Sequence, residues 1–233
     1  MQPKVFFIHT ISGLTDTFSR LFAEHVGEAD ITHISDESLI QRALRAEGLT
    51  PAIYRRVCEH VVGAEEAGAD FIQLTCSSVS PCVDVARHLV AVPVLKIDDP
   101  VVARAVRAYD TIGVIATASS TLKPSTELVR STARESGRDV TVVPVLCEGA
   151  YDALFEGDVE KHDAIVSSDL VELAGRCDAV LLAQASMARV ASALDEGEVS
   201  VPVLSSPGPA MEHLAGLVAE WRAARSAEGE EGP

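Results

Sequence analysis

Short apolar runs rich in Val, Ile and Leu recur along the chain and alternate with longer stretches of helical periodicity. The runs occupy residues 5–10, 71–76, 92–97, 111–117, 140–146, 179–184 and 201–206. Apolar runs of this length, with little polar alternation inside them, are typical of parallel strands that helices cover on both faces. The pattern therefore predicts an α/β fold built on parallel sheets flanked by helices.

The stretches between these runs predict the helices of the fold. They are placed at about 15–27, 36–47, 51–68, 81–90, 98–108, 122–136, 160–175, 186–195 and 208–225. Pro51 and Pro81 suit the first turn of a helix, where the missing N–H costs no hydrogen bond. Residues 226–233 are polar and rich in glycine and glutamate, so they are expected to form a frayed tail.

An internal repeat divides the chain into two similar halves. AGADFIQLTCSS (67–78) matches AGRCDAVLLAQAS (174–186), VPVLKIDDP (92–100) matches VPVLSSPGP (201–209), and VFFIHT (5–10) matches IGVIAT (112–117). The nearly constant spacing predicts two pseudo-symmetric Rossmann-like lobes, one formed by residues 1–97 with 207–225 and the other by residues 98–206. Ligands of such sheets bind outside the carboxyl ends of the strands, which predicts an active site in the interlobe cleft.

Charge and cysteine content narrow the partners and the compartment. The 35 Asp and Glu residues against 19 Lys and Arg give a formal charge of −16, which repels nucleic acid and anionic membrane surfaces. The first residues do not form a secretory signal, and five cysteines are an odd number that points to free thiols. We therefore expect a cytoplasmic protein with a small-molecule substrate, no nucleic-acid or membrane partner, and a homo-oligomeric state.

Cys76 is the strongest candidate for chemistry. It lies in LTCSSVSP, at the end of a buried strand and before a predicted helix, where N–H groups and the helix dipole favour a thiolate. Ser77 and Ser78 supply hydroxyl or backbone donors to the same loop. The alternative is a small buried cysteine that packs under a helix, which is the interpretation we give to Cys58 and Cys177. No Cys/His spacing resembles a structural zinc site, so no metal is expected.

Taken together, the two lobes, the Cys-Ser-Ser loop and ATASSTLKPS (116–125) resemble the aspartate/glutamate/hydantoin racemase superfamily. The resemblance covers essentially the whole chain. It implies cofactor-independent removal and return of the proton alpha to a carboxylate, with Cys76 as a catalytic thiol and no metal or organic cofactor. It also implies that Thr117, Ser120 and Thr121 bind the substrate carboxylate.

The chain departs from the superfamily pattern at the second thiol. The family carries a cysteine in each lobe, but the position equivalent to Cys76 is Gln184, followed by Ala185 and Ser186. An amide does not exchange protons as a base near neutral pH. A one-base mechanism follows, in which Gln184 orients a carbonyl or carboxylate and the reaction is a decarboxylation, an isomerisation, or a racemisation with another residue as partner.

His9 and Thr10 follow the first strand and complete the set of candidate site residues. With an ordinary pKa near 6.5, His9 is the best ionisable residue to assist Cys76 as a catalytic group, although a strand-end histidine is more often a plain hydrogen-bonding residue. Thr10 and Ser186 are candidate substrate-binding hydroxyls. Asp98, before Asp99 and Pro100, suits a helix cap better than a catalytic base.

Two functions from different classes fit these residues. The first is an enzyme of the racemase, isomerase or decarboxylase kind. The second is a non-catalytic protein that binds a small carboxylate on the same fold, since one expected thiol is missing. Acyl transfer through Cys76 is less favoured, because no motif places a His-Asp pair beside it.

Overall fold

The computed structural model describes residues 2–184, 187–194 and 197–230, with residues 228–230 as backbone only. Two four-stranded parallel sheets with the same strand order form the two lobes. The predicted α/β class and the predicted pair of similar lobes are therefore confirmed.

The first lobe contains the first four strands and four helices. These are β1 (Lys4–His9), α1 (Thr15–His25), β2 (Asp30–Ser35), α2 (Glu37–Arg45), α3 (Pro51–Glu66), β3 (Phe71–Leu74), α4 (Cys82–Ala86) and β4 (Val94–Lys96). Pro51 begins α3 as the sequence predicts, with the Thr50 side chain as its N-cap.

The second lobe repeats this order. Its elements are α5 (Asp99–Ala108), β5 (Thr111–Ala116), α6 (Ser119–Glu135), β6 (Thr141–Leu146), α7 (Ala150–Phe155), α8 (Val159–Ala174), β7 (Ala179–Leu182), α9 (Ala188–Ser192) and β8 (Val203–Leu204). Helix α10 (Pro207–Glu230) follows β8 and packs against the first lobe. The strand order is β2-β1-β3-β4 in the first lobe and β6-β5-β7-β8 in the second. Within the described ranges, no helix is both long enough and apolar enough to cross a membrane.

Strand register places equivalent residues at the same height in both lobes. Ile8 pairs with Leu74 between β1 and β3, and Ile115 pairs with Leu182 between β5 and β7. Each of these residues stands two positions before a candidate site residue. The chain therefore leaves two neighbouring strands together in each lobe, and the site loops begin side by side.

Several elements differ from the sequence-based expectation, and helix α7 (Ala150–Phe155) was not predicted. Strand β2 has no apolar run, since DITHIS is a half-buried edge strand and needs only part of its surface covered. The helix predicted at 81–90 is limited to α4, because the chain must turn back to reach β4. Two helices are longer than predicted. Helix α6 begins three residues early at Ser119, and α10 continues to Glu230, beyond the predicted start of the frayed tail.

Helices α5 and α10 carry the chain between the lobes. Val102 and Val106 of α5 belong to a buried cluster with Val114 of β5. In α10, Met211 and Leu214 are buried in a cluster with residues of the first lobe, including Phe7 and Phe18. The last helix thus returns to the sheet where the chain began, and its burial there ties the end of the chain to the first lobe.

Gly113 of β5 allows α8 to approach the second sheet closely. A Cβ atom at this position would lie 2.8 Å from Cγ of Leu173 and 3.1 Å from Sγ of Cys177. Leu173 is fully buried. We expect Gly113→Ala to lower the free energy of unfolding by about 1–3 kcal/mol, measured by urea denaturation.

Gly63→Ala is the matched control for this substitution. Gly63 lies inside α3 and a Cβ there meets nothing within 4 Å. Because alanine is the better helix former, the control should raise stability by about 0.5–1 kcal/mol. Equal effects of the two substitutions would show that the contact with Leu173 does not limit the packing of α8.

Candidate active site

The Cys76 thiol lies two residues beyond β3, in a loop that supplies it with hydrogen-bond donors. The Thr10 side chain, the backbone of Ser78 and Val79, and the Ser78 hydroxyl surround the thiol and lower its pKa. Burial acts in the opposite direction and is the larger effect, so the pKa of Cys76 is raised above its ordinary value. The residue is still partly exposed, whereas its neighbours from Phe71 to Ser80 are buried.

This result corrects the expected charge state of the thiol. The sequence predicted that the following helix would favour a thiolate, but α4 begins only at Cys82 and is five residues long. The backbone groups that lower the pKa of the thiol come from the turn at Ser78 and Val79. They offset burial only in part, so the protonated thiol is the resting form near neutral pH.

Gln184 occupies the equivalent position in the second lobe and is held in the same way. The Thr117 N–H and the Thr117 hydroxyl donate to Oε1 of Gln184 at 2.7 and 3.0 Å. Because a backbone N–H only donates, the group that faces it must be the amide oxygen. The amide NH₂ is therefore left as the donor that Gln184 offers to a ligand.

Thr10 and Thr117 occupy equivalent positions in the two lobes and contact equivalent residues. In the first lobe Thr10 hydrogen-bonds the Cys76 thiol, and in the second Thr117 hydrogen-bonds the Gln184 amide. The internal repeat extends from the sheets to these side-chain contacts. A titratable thiol and a non-titratable amide consequently stand in equivalent settings.

The two lobes meet beside the thiol. The hydroxyl groups of Ser78 and Thr121 are 2.7 Å apart, and both residues are buried. This contact joins the Cys76 loop to the first turn of α6. Ser77, the other predicted donor of this loop, is also buried.

The hydroxyls predicted to bind a carboxylate are not equally available. Thr117 is engaged by Gln184 and Thr121 by Ser78. Ser120 is 3% exposed, and its hydroxyl has no hydrogen-bond partner in the part of the chain that the structure describes. The first N–H groups of α6 also lack partners within the helix. An anion at this point would meet the Ser120 hydroxyl and these N–H groups.

A cavity of about 450 Å³ extends from Ser120 along α6, between the lobes. Its wall includes Leu49, Tyr54, Pro81 and Lys123. Neither Cys76 nor Gln184 belongs to its lining, so it adjoins the thiol site without containing the thiol.

His9 is placed behind the site. Its side chain is 0% exposed, and Nδ1 and Nε2 lie 2.8 Å from Oγ1 of Thr75 and Nδ1 of His33. Thr75 donates its own hydroxyl hydrogen to the Ile8 carbonyl. Each ring nitrogen of His9 therefore has one buried hydrogen-bond partner, and which atom donates at each contact depends on the ring tautomers.

This network affects the acid–base behaviour of His9. Burial and, to a smaller extent, the neighbouring His33 together lower the pKa of the ring to about 4. His9 is thus a neutral, buried support for Thr75, the residue before Cys76, and the structure does not bring it to the cleft surface.

The remaining polar residues near the site include predicted ones and ones that the sequence analysis did not single out. Ser186 lies outside the described residues. Asp98 precedes α5 as expected, but its side chain makes no capping hydrogen bond and accepts one from Ser80 at 2.9 Å. The roles of Thr75, His33 and Ser80 could not be predicted from the sequence, because their side-chain partners are distant along the chain. Across the described ranges, no three His, Cys, Asp or Glu residues form a group that could hold a metal ion.

Fold and site together define a two-lobed α/β protein with one partly exposed thiol at the lobe boundary. Residues 12–214 match the family model described as Asp/Glu/Hydantoin racemase. This is most of the chain, which therefore belongs to the Asp/Glu/Hydantoin racemase family, and the predicted resemblance is confirmed. Family membership supports an enzyme of the racemase or isomerase kind. No curated protein matches the chain in sequence.

Solved structures share the fold at low sequence identity. The glutamate racemase isoform RacE1 of Bacillus anthracis is 15% identical with a TM-score of 0.76, covering 94% of this chain and 82% of its own. The glutamate racemase of Francisella tularensis, solved with D-glutamate, is 16% identical with a TM-score of 0.74, at 95% and 82% coverage. An allantoin racemase from Klebsiella pneumoniae is 19% identical with a TM-score of 0.67, at 94% and 88% coverage.

Proposed function

We propose that this protein catalyses cofactor-independent proton transfer at the carbon alpha to a carboxylate of a small molecule, with Cys76 as the general acid and base. The observation that carries the proposal is the pairing of a partly exposed thiol with an amide in equivalent settings of the two lobes. Of these two groups, only the thiol can act as a proton-transferring acid or base near neutral pH.

The substrate carboxylate is placed at the start of α6. There the unpartnered Ser120 hydroxyl and the first N–H groups of the helix offer neutral donors. Neutral donors suit a chain of formal charge −16, which repels an anion at long range and must hold it locally. The Gln184 NH₂ adds a donor from the other side, aimed by the two hydrogen bonds that hold its oxygen.

The raised pKa of Cys76 favours reactions that use the thiol as an acid. A carbanion formed next to a carboxylate, for example by loss of carbon dioxide, takes the proton from the S–H group and leaves a thiolate. Solvent then returns a proton to the sulfur. Isomerisation and racemisation begin with the thiolate instead, and racemisation also needs a second group on the opposite face. The site thus favours one-sided protonation, as in a decarboxylase or an isomerase.

Incubation with a panel of small carboxylates in deuterated water tests this function. The panel contains aspartate, glutamate and acids with two carboxylates on one carbon, and NMR and chiral chromatography follow the products. We expect deuterium at the alpha carbon of a single product enantiomer, because one thiol protonates one face. Deuterium in both enantiomers would contradict a one-base mechanism. Binding without any exchange or turnover would instead identify a non-catalytic carboxylate-binding protein.

A further inference from the structure

Asp98 is a buried carboxyl group that the proposed chemistry does not use. It stands at the beginning of α5, where the chain leaves the first lobe, and is 5% exposed. Its side chain makes no capping hydrogen bond to α5. It accepts instead from the Ser80 hydroxyl at 2.9 Å. A buried carboxyl group is costly to keep, and this one is directed at the loop that follows Cys76.

Ser80 directly follows the residues that contact the thiol. The backbone groups of Ser78 and Val79 lower the pKa of the Cys76 thiol, and the Val79 N–H donates to the Cys76 carbonyl at 3.3 Å. The turn that presents them is closed by the Ser80 N–H, which donates to the Ser77 carbonyl at 3.3 Å. A fixed Ser80 side chain therefore limits the movement of the Ser78 and Val79 backbone.

The pKa of Asp98 is raised to about 6, so the carboxyl group is mostly ionised at neutral pH. Burial is the main cause of the rise, which the Ser80 hydroxyl and Lys96 oppose and the carboxylate of Asp99 adds to. Lys96 pairs with Asp84 of α4 at 2.8 Å, and Arg87 reaches Asp99 at 3.4 Å. A hydrogen bond to an ionised acceptor is roughly twice as strong as a neutral one.

The repeat provides an internal comparison. At the spacing that aligns Cys76 with Gln184, Ser80 aligns with Ala188, and the match of VPVLKIDDP with VPVLSSPGP aligns Asp98 with Pro207. Neither alanine nor proline has a side chain that forms hydrogen bonds. The position equivalent to this pair in the second half of the repeat therefore lacks it, and the pair occurs only beside the thiol.

We propose that Asp98 is a positioning residue for Cys76, whose carboxylate holds the Ser80 hydroxyl and thereby the Ser78 and Val79 backbone groups beside the sulfur. The inference rests on the proposed function in so far as it assigns the thiol a catalytic task. The positioning itself is a property of the free protein and is measurable without substrate.

The rate of Cys76 alkylation by iodoacetamide, followed against pH and located by mass spectrometry, tests the positioning. In Asp98→Ala and Ser80→Ala we expect the pKa of Cys76 to rise by about one unit, so that alkylation near neutral pH slows roughly tenfold. Asp98→Asn should slow it less, since an amide oxygen still accepts from Ser80. The double alanine variant should be no slower than either single variant, because both remove the same hydrogen bond.

Asp99→Asn is the matched control, since it removes the neighbouring carboxylate without touching Ser80, and it should leave alkylation within about twofold of wild type. The inference would be overturned if Cys76 were alkylated at the wild-type rate in the folded Asp98→Ala and Ser80→Ala variants. It would also be overturned if the double variant slowed alkylation by the product of the two single effects. If Asp98→Ala does not fold, Asp98→Asn and Ser80→Ala decide the question.

The outcomes separate this inference from the proposed function. Slower alkylation in variants of a protein that turns over no carboxylate supports the positioning and contradicts only the proposed function. If Asp98→Ala and Ser80→Ala are alkylated at the wild-type rate in a protein whose activity depends on Cys76, the positioning is contradicted and the proposed function is supported.

Discussion

Replacing Cys76 with alanine should lower turnover by roughly 10²–10⁴-fold, the usual loss when a general acid or base is removed. Cys76 is the partly exposed thiol of the first-lobe site, and the equivalent Gln184 does not exchange protons in its place. Cys76→Ser should be nearly as inactive, because a serine hydroxyl is a far weaker acid. Initial rates measured on a substrate found by deuterium exchange give the result.

Cys58→Ala and Cys177→Ala are the controls for the loss of a thiol. Cys58 is buried in α3, and Cys177 lies just before β7, away from the site loops. Both should change stability at most and leave turnover near wild type. Full activity in Cys76→Ala, with a melting temperature close to wild type, would show that the proton comes from another group.

Lowering the pH should destabilise the protein through His9. The folded-state pKa of about 4 lies below the ordinary 6.5, because burial penalises the imidazolium form. As the pH falls below 6.5, the unfolded chain takes up a proton first, so the stability present above that pH is lost progressively toward pH 4. The loss from this group is roughly 2–3 kcal/mol, and the lowered pKa of His33 acts in the same direction.

His9→Phe isolates this contribution in urea denaturation curves recorded between neutral pH and about pH 4. The substitution keeps the ring contacts with Phe7 and Phe18 and removes the titrating group. The variant should be less stable at neutral pH, where it has lost two hydrogen bonds, but its stability should fall less steeply with acid. The exposed His25, changed to glutamine, should retain the wild-type slope. A slope in His9→Phe equal to that of wild type would mean that His9 is not held neutral.

The sequence predicted the architecture of the sheets well. All seven apolar runs correspond to strands. The repeat identified two lobes, and the structure shows that they have the same strand order. Both signals come from neighbouring residues and their spacing. Strand β2 was missed because an edge strand with one covered side does not need an apolar run. The position of Cys76 at a strand end was predictable for the same reason as the strand itself.

The chemical state of the site was not predictable in this way. The sequence suggested a favoured thiolate, three free hydroxyls and an accessible His9. In the folded protein, burial raises the pKa of Cys76, Thr117 and Thr121 are engaged, and His9 is enclosed. Each of these outcomes depends on what a side chain meets after the lobes have packed.

Sequence alone therefore determined the fold class, the two-lobed repeat, the family and the replacement of a second thiol by Gln184, since these follow from residue identity and local periodicity. Only the tertiary structure decided which groups are paired and which remain available. Thr117 and Gln184 are 67 residues apart, Ser78 and Thr121 are 43 apart, and Ser80 and Asp98 are 18 apart. Hydrogen bonding, burial and pKa depend on distances in space, and packing across such separations is what sets those distances.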